Sequence, residues 1–134
     1  MASNKNEMIG RLLKHYKVES VRWKFKSIKD HAHYQVEDGI LLLSTRYKEI
    51  DKSNIKEFLI TMIHEIDHAM MSKKYGWKKF RSMWEYEANM ITQGHSKGKS
   101  DPYKDNPYEI QAEKFGQKHW RKWLSKFKKD CYID

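Results

Sequence analysis

The sequence predicts an α+β fold: a small antiparallel three-stranded sheet packed on a central helix, with two further helices. Three observations predict it. The apolar residues repeat with helical spacing in some stretches and alternate with a period of two in one stretch between them. An Asp-Gly pair, Asp38-Gly39, separates two strand-like runs. A segment rich in Gly, Pro and Lys, residues 95–107, separates the last two helical stretches.

In chain order, residues 5–17 place Met8, Ile9, Leu12, Leu13 and Tyr16 at helical spacing, which predicts a short amphipathic helix. From Val21 to Ile28 the pattern alternates, with Val21, Trp23 and Phe25 on one side and Arg22, Lys24 and Lys26 on the other. That pattern predicts a strand with one wet face. Residues 32–44 read as two strands joined at Asp38-Gly39, because glycine accepts the positive φ a tight hairpin requires. From Asn54 to Tyr75 a wide apolar stripe (Ile55, Phe58, Leu59, Met62, Ile63, Ile66) predicts a central buried helix, with Ser53 as its N-cap and Gly76 at its end. A further helix is expected from about Trp77 to Gly94. The last runs from Pro107 or Tyr108 to about Lys128, with proline suited to its first turn.

The composition bounds what this fold can be. The chain has 134 residues, 39% hydrophobic and 34% charged, and 18 aromatic side chains to fill a core. These values suit one domain spanning 1–134. The single cysteine, Cys131, excludes an internal disulfide and a multi-cysteine metal site. The opening residues MASNKNEMIG lack an apolar run, so no signal peptide is expected. No stretch approaches the ~18 apolar residues of a membrane span. A cytoplasmic location is the expectation. The formal net charge of +9 attracts polyanions or merely keeps a lysine-rich surface soluble.

The chemistry concentrates at His64-Glu65-Ile66-Asp67-His68, an H-E-x-x-H sequence within the central helix. Residues four apart share a helix face, so both imidazoles can reach one metal ion. Glu65 lies about 100° further round the helix and can serve as general base toward a water on that metal. The bland alternative is a helix that carries two histidines beside its core, but imidazoles buried there need something to satisfy them. A catalytic zinc takes three protein ligands and keeps one position open. The downstream candidates for the third ligand are Glu85, Glu87, His95, Glu109, Glu113 and His119. Glu109 falls in the first turn of the last helix, where the helix dipole favours a carboxylate with or without a metal. Glu113, one turn on, is suited to orienting a ligating histidine.

HEIDHA followed by NPYEIQAEKF resembles the minimal gluzincins, small zincins with HExxH on one helix and a glutamate ligand on a later one. The resemblance covers roughly residues 30–120. It implies a zincin-like fold whose central helix is the active-site helix. It further implies Zn2+ on His64, His68 and Glu109, with Glu65 as general base in peptide-bond hydrolysis. It also implies a sheet edge that pairs with an extended peptide substrate, expected at Ile40–Ser44. Glu85 or Glu87, whose shorter spacing also occurs in that family, and His95 remain alternatives to Glu109. Tyr47, Tyr103, Tyr108 and His95 are open as stabilisers of an oxyanion.

Residues 114–129 form a basic amphipathic stretch. Phe115, Trp120, Trp123, Leu124 and Phe127 lie near one face, and most of the lysines and arginines lie elsewhere. Such a stretch either packs as the last helix of the core or lies on nucleic acid or a membrane surface. The competing function is therefore a basic module for nucleic acid or an acidic partner, in which HEIDH holds a structural metal or none.

Overall fold

A computed structural model describes residues 2–133. The elements in order are α1 (Ala2–His15), β1 (Arg22–Lys26), β2 (Ala32–Gln35), β3 (Ile40–Ser44), a 3-10 turn at Thr45–Tyr47, α2 (Ile55–Tyr75), α3 (Trp77–Thr92) and α4 (Pro107–Lys129). The fold class is α+β, as the periodicities require. Three helices accompany α2 rather than two, since the amphipathic stretch at the N-terminus is a full helix with Met8, Ile9, Leu12 and Leu13 buried.

The sheet differs from the expected antiparallel meander. Its order is β1-β3-β2, with β1 parallel to β3 and β2 antiparallel to it. The sheet is therefore mixed, and Ile40–Ser44 is its central strand, not its edge. The reason lies in the sequence of β3. Leu41, Leu42 and Leu43 are all buried, so consecutive residues on both faces are covered. An unbroken apolar run of that kind suits a strand with neighbours on both sides. β1, with alternate residues exposed, takes the outer edge.

β2 is the edge nearest α2. Ser44 N donates to His31 O at 2.9 Å, and Ala32 pairs with Leu43. Antiparallel alternation then turns the backbone groups of His31, His33 and Gln35 toward β3 and those of Ala32 and Tyr34 outward. The side chains of Ala32 and Tyr34 point into the core. The turn between the strands closes at Gly39, whose φ of 65° is the left-handed conformation expected there.

α2 runs through the middle of the molecule, with Phe58, Leu59, Met62, Ile63 and Ile66 almost fully buried. Its N-cap is Asn54 rather than Ser53, and the Asn54 side chain makes no cap bond. Instead it accepts from Asp51 N and donates to Glu49 O, tying down the preceding loop. Gly76, at φ 85°, ends α2 and starts α3 in one residue, which turns the chain sharply.

α4 packs along α2. Trp120, Trp123 and Phe127 fill the far end of the shared core. At the crossing stands Gly116, where a Cβ would lie 2.7 Å from the Ile60 carbonyl oxygen. Only glycine lets the two backbones approach that closely. No helix among the described residues is long and apolar enough to cross a membrane.

Candidate metal centre

Two helices bring the site together. α2 carries His64, Glu65 and His68, and the first turn of α4 carries Glu109. α4 begins where it does because Asn106 caps it. The Asn106 side-chain oxygen accepts from Tyr108 N, and its amide donates to the Trp84 carbonyl oxygen on α3. Asn106 is fully buried, so this cap is an internal joint between α3 and α4. With Pro107 at the first helical position, the cap sets the direction in which Glu109 leaves the helix.

The Glu109 carboxylate lies between the two imidazoles. Its Oε1 is 2.9 Å from His64 Nε2 and 3.1 Å from His68 Nε2. Its Oε2 accepts from Trp84 Nε1 at 2.8 Å. The potential ligand atoms of His64, Glu65 and His68 also lie within 4.8 Å of one another. Of these two carboxylates, Glu65 is held on its other side, where its Oε2 accepts from Tyr34 N on the outward edge of β2 at 3.1 Å. Glu109 alone makes hydrogen-bond contact with both Nε2 atoms. Glu113 Oε1 stands 3.0 Å from His64 Nδ1, on the far side of that ring. Behind the ligands, Gln111 donates to Asp67 at 3.0 Å and links the two helices once more.

The electrostatics follow from this crowding. Burial on its own would depress the pKa of His64, but the hydrogen bond to Glu109, the charge of Glu65 and the hydrogen bond to Glu113 raise it to about 9. His68 is raised against burial for the same reasons, Glu109 foremost. Burial pushes Glu65 up, and the neighbouring imidazoles only partly oppose it. Burial also acts to raise Glu109, yet hydrogen bonds from both histidines hold it well below the usual carboxylate range. Both imidazoles thus favour their protonated form beside the Glu109 carboxylate.

These residues fit a zinc ion. Ligands about 2.0–2.1 Å from zinc stand roughly 3.3 Å apart at neighbouring tetrahedral corners, close to the spacing of these donor atoms. Two imidazoles and one carboxylate are a donor set used by catalytic zinc. The Trp84 and Glu113 hydrogen bonds are of the kind that orients ligands. His68 Nδ1 is the one buried side-chain nitrogen or oxygen without a partner among the described residues, so protein contacts alone leave this imidazole incompletely satisfied.

Two cavities open onto the site. One, of about 550 Å³, is bordered by His68, Glu109 and the outer part of β2. The other, of about 530 Å³, is bordered by His64, Glu113 and the residues just before β2. Asp30, Glu65 and Tyr103 border both, so the cavities form one groove beside β2.

Among the candidates that the sequence left open, Glu85 stands at the rim of the first cavity, and Glu87 and His95 border neither. His119 packs on Phe115 and Tyr16, away from the site. Among the tyrosines, Tyr47 is buried against Phe58 and bonds Glu57, with its pKa pushed up to about 12, chiefly by burial. Tyr108 packs on Phe80. Tyr103 is the one that reaches the site. The residue is 55% exposed and its ring packs on Trp84, while desolvation and the charges of Glu109 and Glu65 raise its pKa. Sequence reasoning missed Trp84, Asn106 and Gly116 as parts of this site. Asn-Pro ahead of a helix is a signal that could have found Asn106; nothing local marks Trp84.

Comparison with protein-family models, curated proteins and solved structures returns no match to this chain.

Proposed function

We propose that this chain is a zinc-dependent peptidase of the minimal gluzincin type. His64, His68 and Glu109 hold the zinc, and Glu65 is the general base. The observation that carries the reading is the Glu109 carboxylate within 2.9 and 3.1 Å of the two HExxH imidazoles, from a residue 45 and 41 positions downstream of them on a separate helix. The groove beside β2 and the outward backbone groups of that strand support a peptide as substrate, bound by strand addition.

Zinc on these residues would acidify a water and polarise the scissile carbonyl. Glu65 takes the proton from the attacking water and hands it to the leaving amine. Its bond to Tyr34 N fixes the carboxylate beside the strand on which substrate lies. Trp84 and Glu113 keep Glu109 and His64 in orientation. Tyr103, bordering both halves of the groove, donates its hydroxyl to the oxyanion. A fall in kcat with little change in KM in Tyr103→Phe tests that role.

Zinc content by elemental mass spectrometry, beside cleavage of fluorogenic peptides, tests the whole reading. The parent should hold one zinc per chain, and Glu65→Gln should keep it while losing at least ~10²-fold in kcat. His64→Ala and His68→Ala should lose the metal. A parent without zinc after reconstitution, or a Glu65→Gln protein that cleaves like the parent, would refute it.

A further inference from the structure

The chain is strongly basic, with 27 Lys and Arg against 18 Asp and Glu, yet the larger half of the groove is acidic. Besides Glu65 and Glu109, its border carries Asp30, Glu37, Asp38 and Glu85. Two cations stand near them. Arg81 pairs with Glu37 at 3.4 Å, and Arg22 donates to the Asp38 backbone carbonyl oxygen. Asp30, Asp38 and Glu85 make no ion pair among the described residues. The same cavity is bordered by His68, whose buried Nδ1 has no partner among the described residues. The other half of the groove is less acidic, because Lys29 and Lys56 border it beside Glu57, Glu113 and the shared Asp30 and Glu65. There Glu57 is engaged by Tyr47 and Glu113 by His64. The groove is therefore more acidic at the end that carries Glu37, Asp38 and Glu85, and opposite in sign there to the molecule as a whole.

We infer that the groove selects peptides with lysine or arginine on the side of the scissile bond that lies at its more acidic end, through Asp38 and Glu85 there and Asp30 where the two halves meet. This rests on the peptidase reading for its scissile bond but on the groove's own charges for its selectivity. A predominantly acidic, partly enclosed rim concentrates a cationic ligand, while the net charge of the chain repels it. The bulk charge thus favours anionic peptides and the groove cationic ones, so the two are separable by experiment.

The test uses matched extended peptides, identical except for lysine or glutamate at alternate positions, titrated by fluorescence anisotropy onto the Glu65→Gln protein. The lysine peptide should bind roughly tenfold more tightly at low salt, with the gap closing as salt rises. Asp30→Asn/Asp38→Asn/Glu85→Gln should abolish the gap. Glu7→Gln/Glu19→Gln/Glu49→Gln, which neutralises three exposed acids bordering neither cavity, should keep it. Equal binding of both peptides, tighter binding of the glutamate peptide, or an equal response to the two triple variants would overturn the inference. Binding is read whether or not the parent cleaves. A protein that prefers the lysine peptide but holds no zinc and cleaves nothing therefore keeps the selectivity and loses the peptidase reading. A zinc-loaded protein that cleaves without preference does the reverse.

Discussion

The two faces of α4 carry opposite kinds of chemistry. The inner face holds Glu109, Ala112, Gly116, Trp120, Trp123 and Phe127, all buried. Its polar group is tied by three donors, and its glycine is pressed against a backbone carbonyl. The outer face holds Lys114, Lys118, Arg121, Lys122, Lys126 and Lys128, all exposed. Several of these cations lie over aromatic rings that the inner face buries, Lys126 at 4.8 Å from Trp123 and Arg121 at 4.9 Å from Trp120. Because the apolar face is occupied by the core, it is not free to enter a membrane surface. The comparison teaches where each candidate function has its structural support. Metal chemistry depends on fixed, desolvated groups, and polyanion attraction depends on mobile, hydrated ones.

The largest effect is expected from Glu109→Ala on the inner face. It removes the carboxylate between the imidazoles, and zinc affinity should fall by more than the ~10–100-fold that loss of a merely orienting group costs. Titration against a chelator of known affinity measures it. Glu85→Ala at the rim should leave affinity within a few-fold, and a larger loss there than in Glu109→Ala would reassign the ligand. Next in size is Gly116→Ala. Alanine ordinarily favours a helix over glycine by ~1 kcal/mol. Here its Cβ meets the Ile60 carbonyl, a backbone atom that cannot swing aside. Overpacking of that kind costs about 1–3 kcal/mol. A lower melting temperature together with weaker zinc binding would show that the helix crossing sets the ligand spacing. A stabilised variant would show that the crossing has slack.

Much of this was legible in the residues. The helical stripe through Ile55–Met70 and the Gly76 stop were visible because burial on one face imposes a period of 3.6. HEIDH stood out because two histidines at i, i+4 share one helix face, the spacing that the proposed metal site requires. The sheet order was not. Periodicity tells which strands are half-wet but not which neighbour each takes, and the Asp-Gly turn favoured a simple meander. The clue was present in Leu41-Leu42-Leu43, which reads as a strand covered on both faces and so favours a central place in the sheet. The proposed third ligand was open from the residues alone, since the same helix-start acid serves a dipole equally well. Trp84 and Gly116 were invisible because their roles exist only across helices distant in sequence.

The metal-free protein offers a smaller effect, again on the inner face. Glu109 is held below its ordinary 4.5, so its share of stability is present above that value and lost as pH falls toward its folded value. His64 is raised from 6.5 to about 9, so its share is complete below 6.5 and lost as pH rises through about 9. Thermal melts of chelator-treated protein should therefore decline on the alkaline side as pH approaches and passes 9. Glu109→Gln should flatten that decline. An unchanged alkaline limb in the variant would mean that the carboxylate does not hold the imidazole proton.

The smallest effect belongs to the outer face. Lys114→Gln, Lys118→Gln and Lys128→Gln together remove three exposed charges that make no ion pair and lie over no ring among the described residues. Exposed substitutions of this kind usually stay within about 0.5 kcal/mol each, so the melting temperature, zinc content and peptide cleavage should be unchanged. Retention on immobilised DNA is the property with room to move. If lysines on this face touch phosphates, each one lost lowers the slope of log affinity against log salt by about 0.9. A flat response leaves the face as a solvated surface, because cations that meet no phosphate release no counterions. A loss of zinc or cleavage in this variant would be the more informative surprise. It would mean that charge on the outer face reaches the carboxylate on the inner one, and that the two faces of α4 do not act separately.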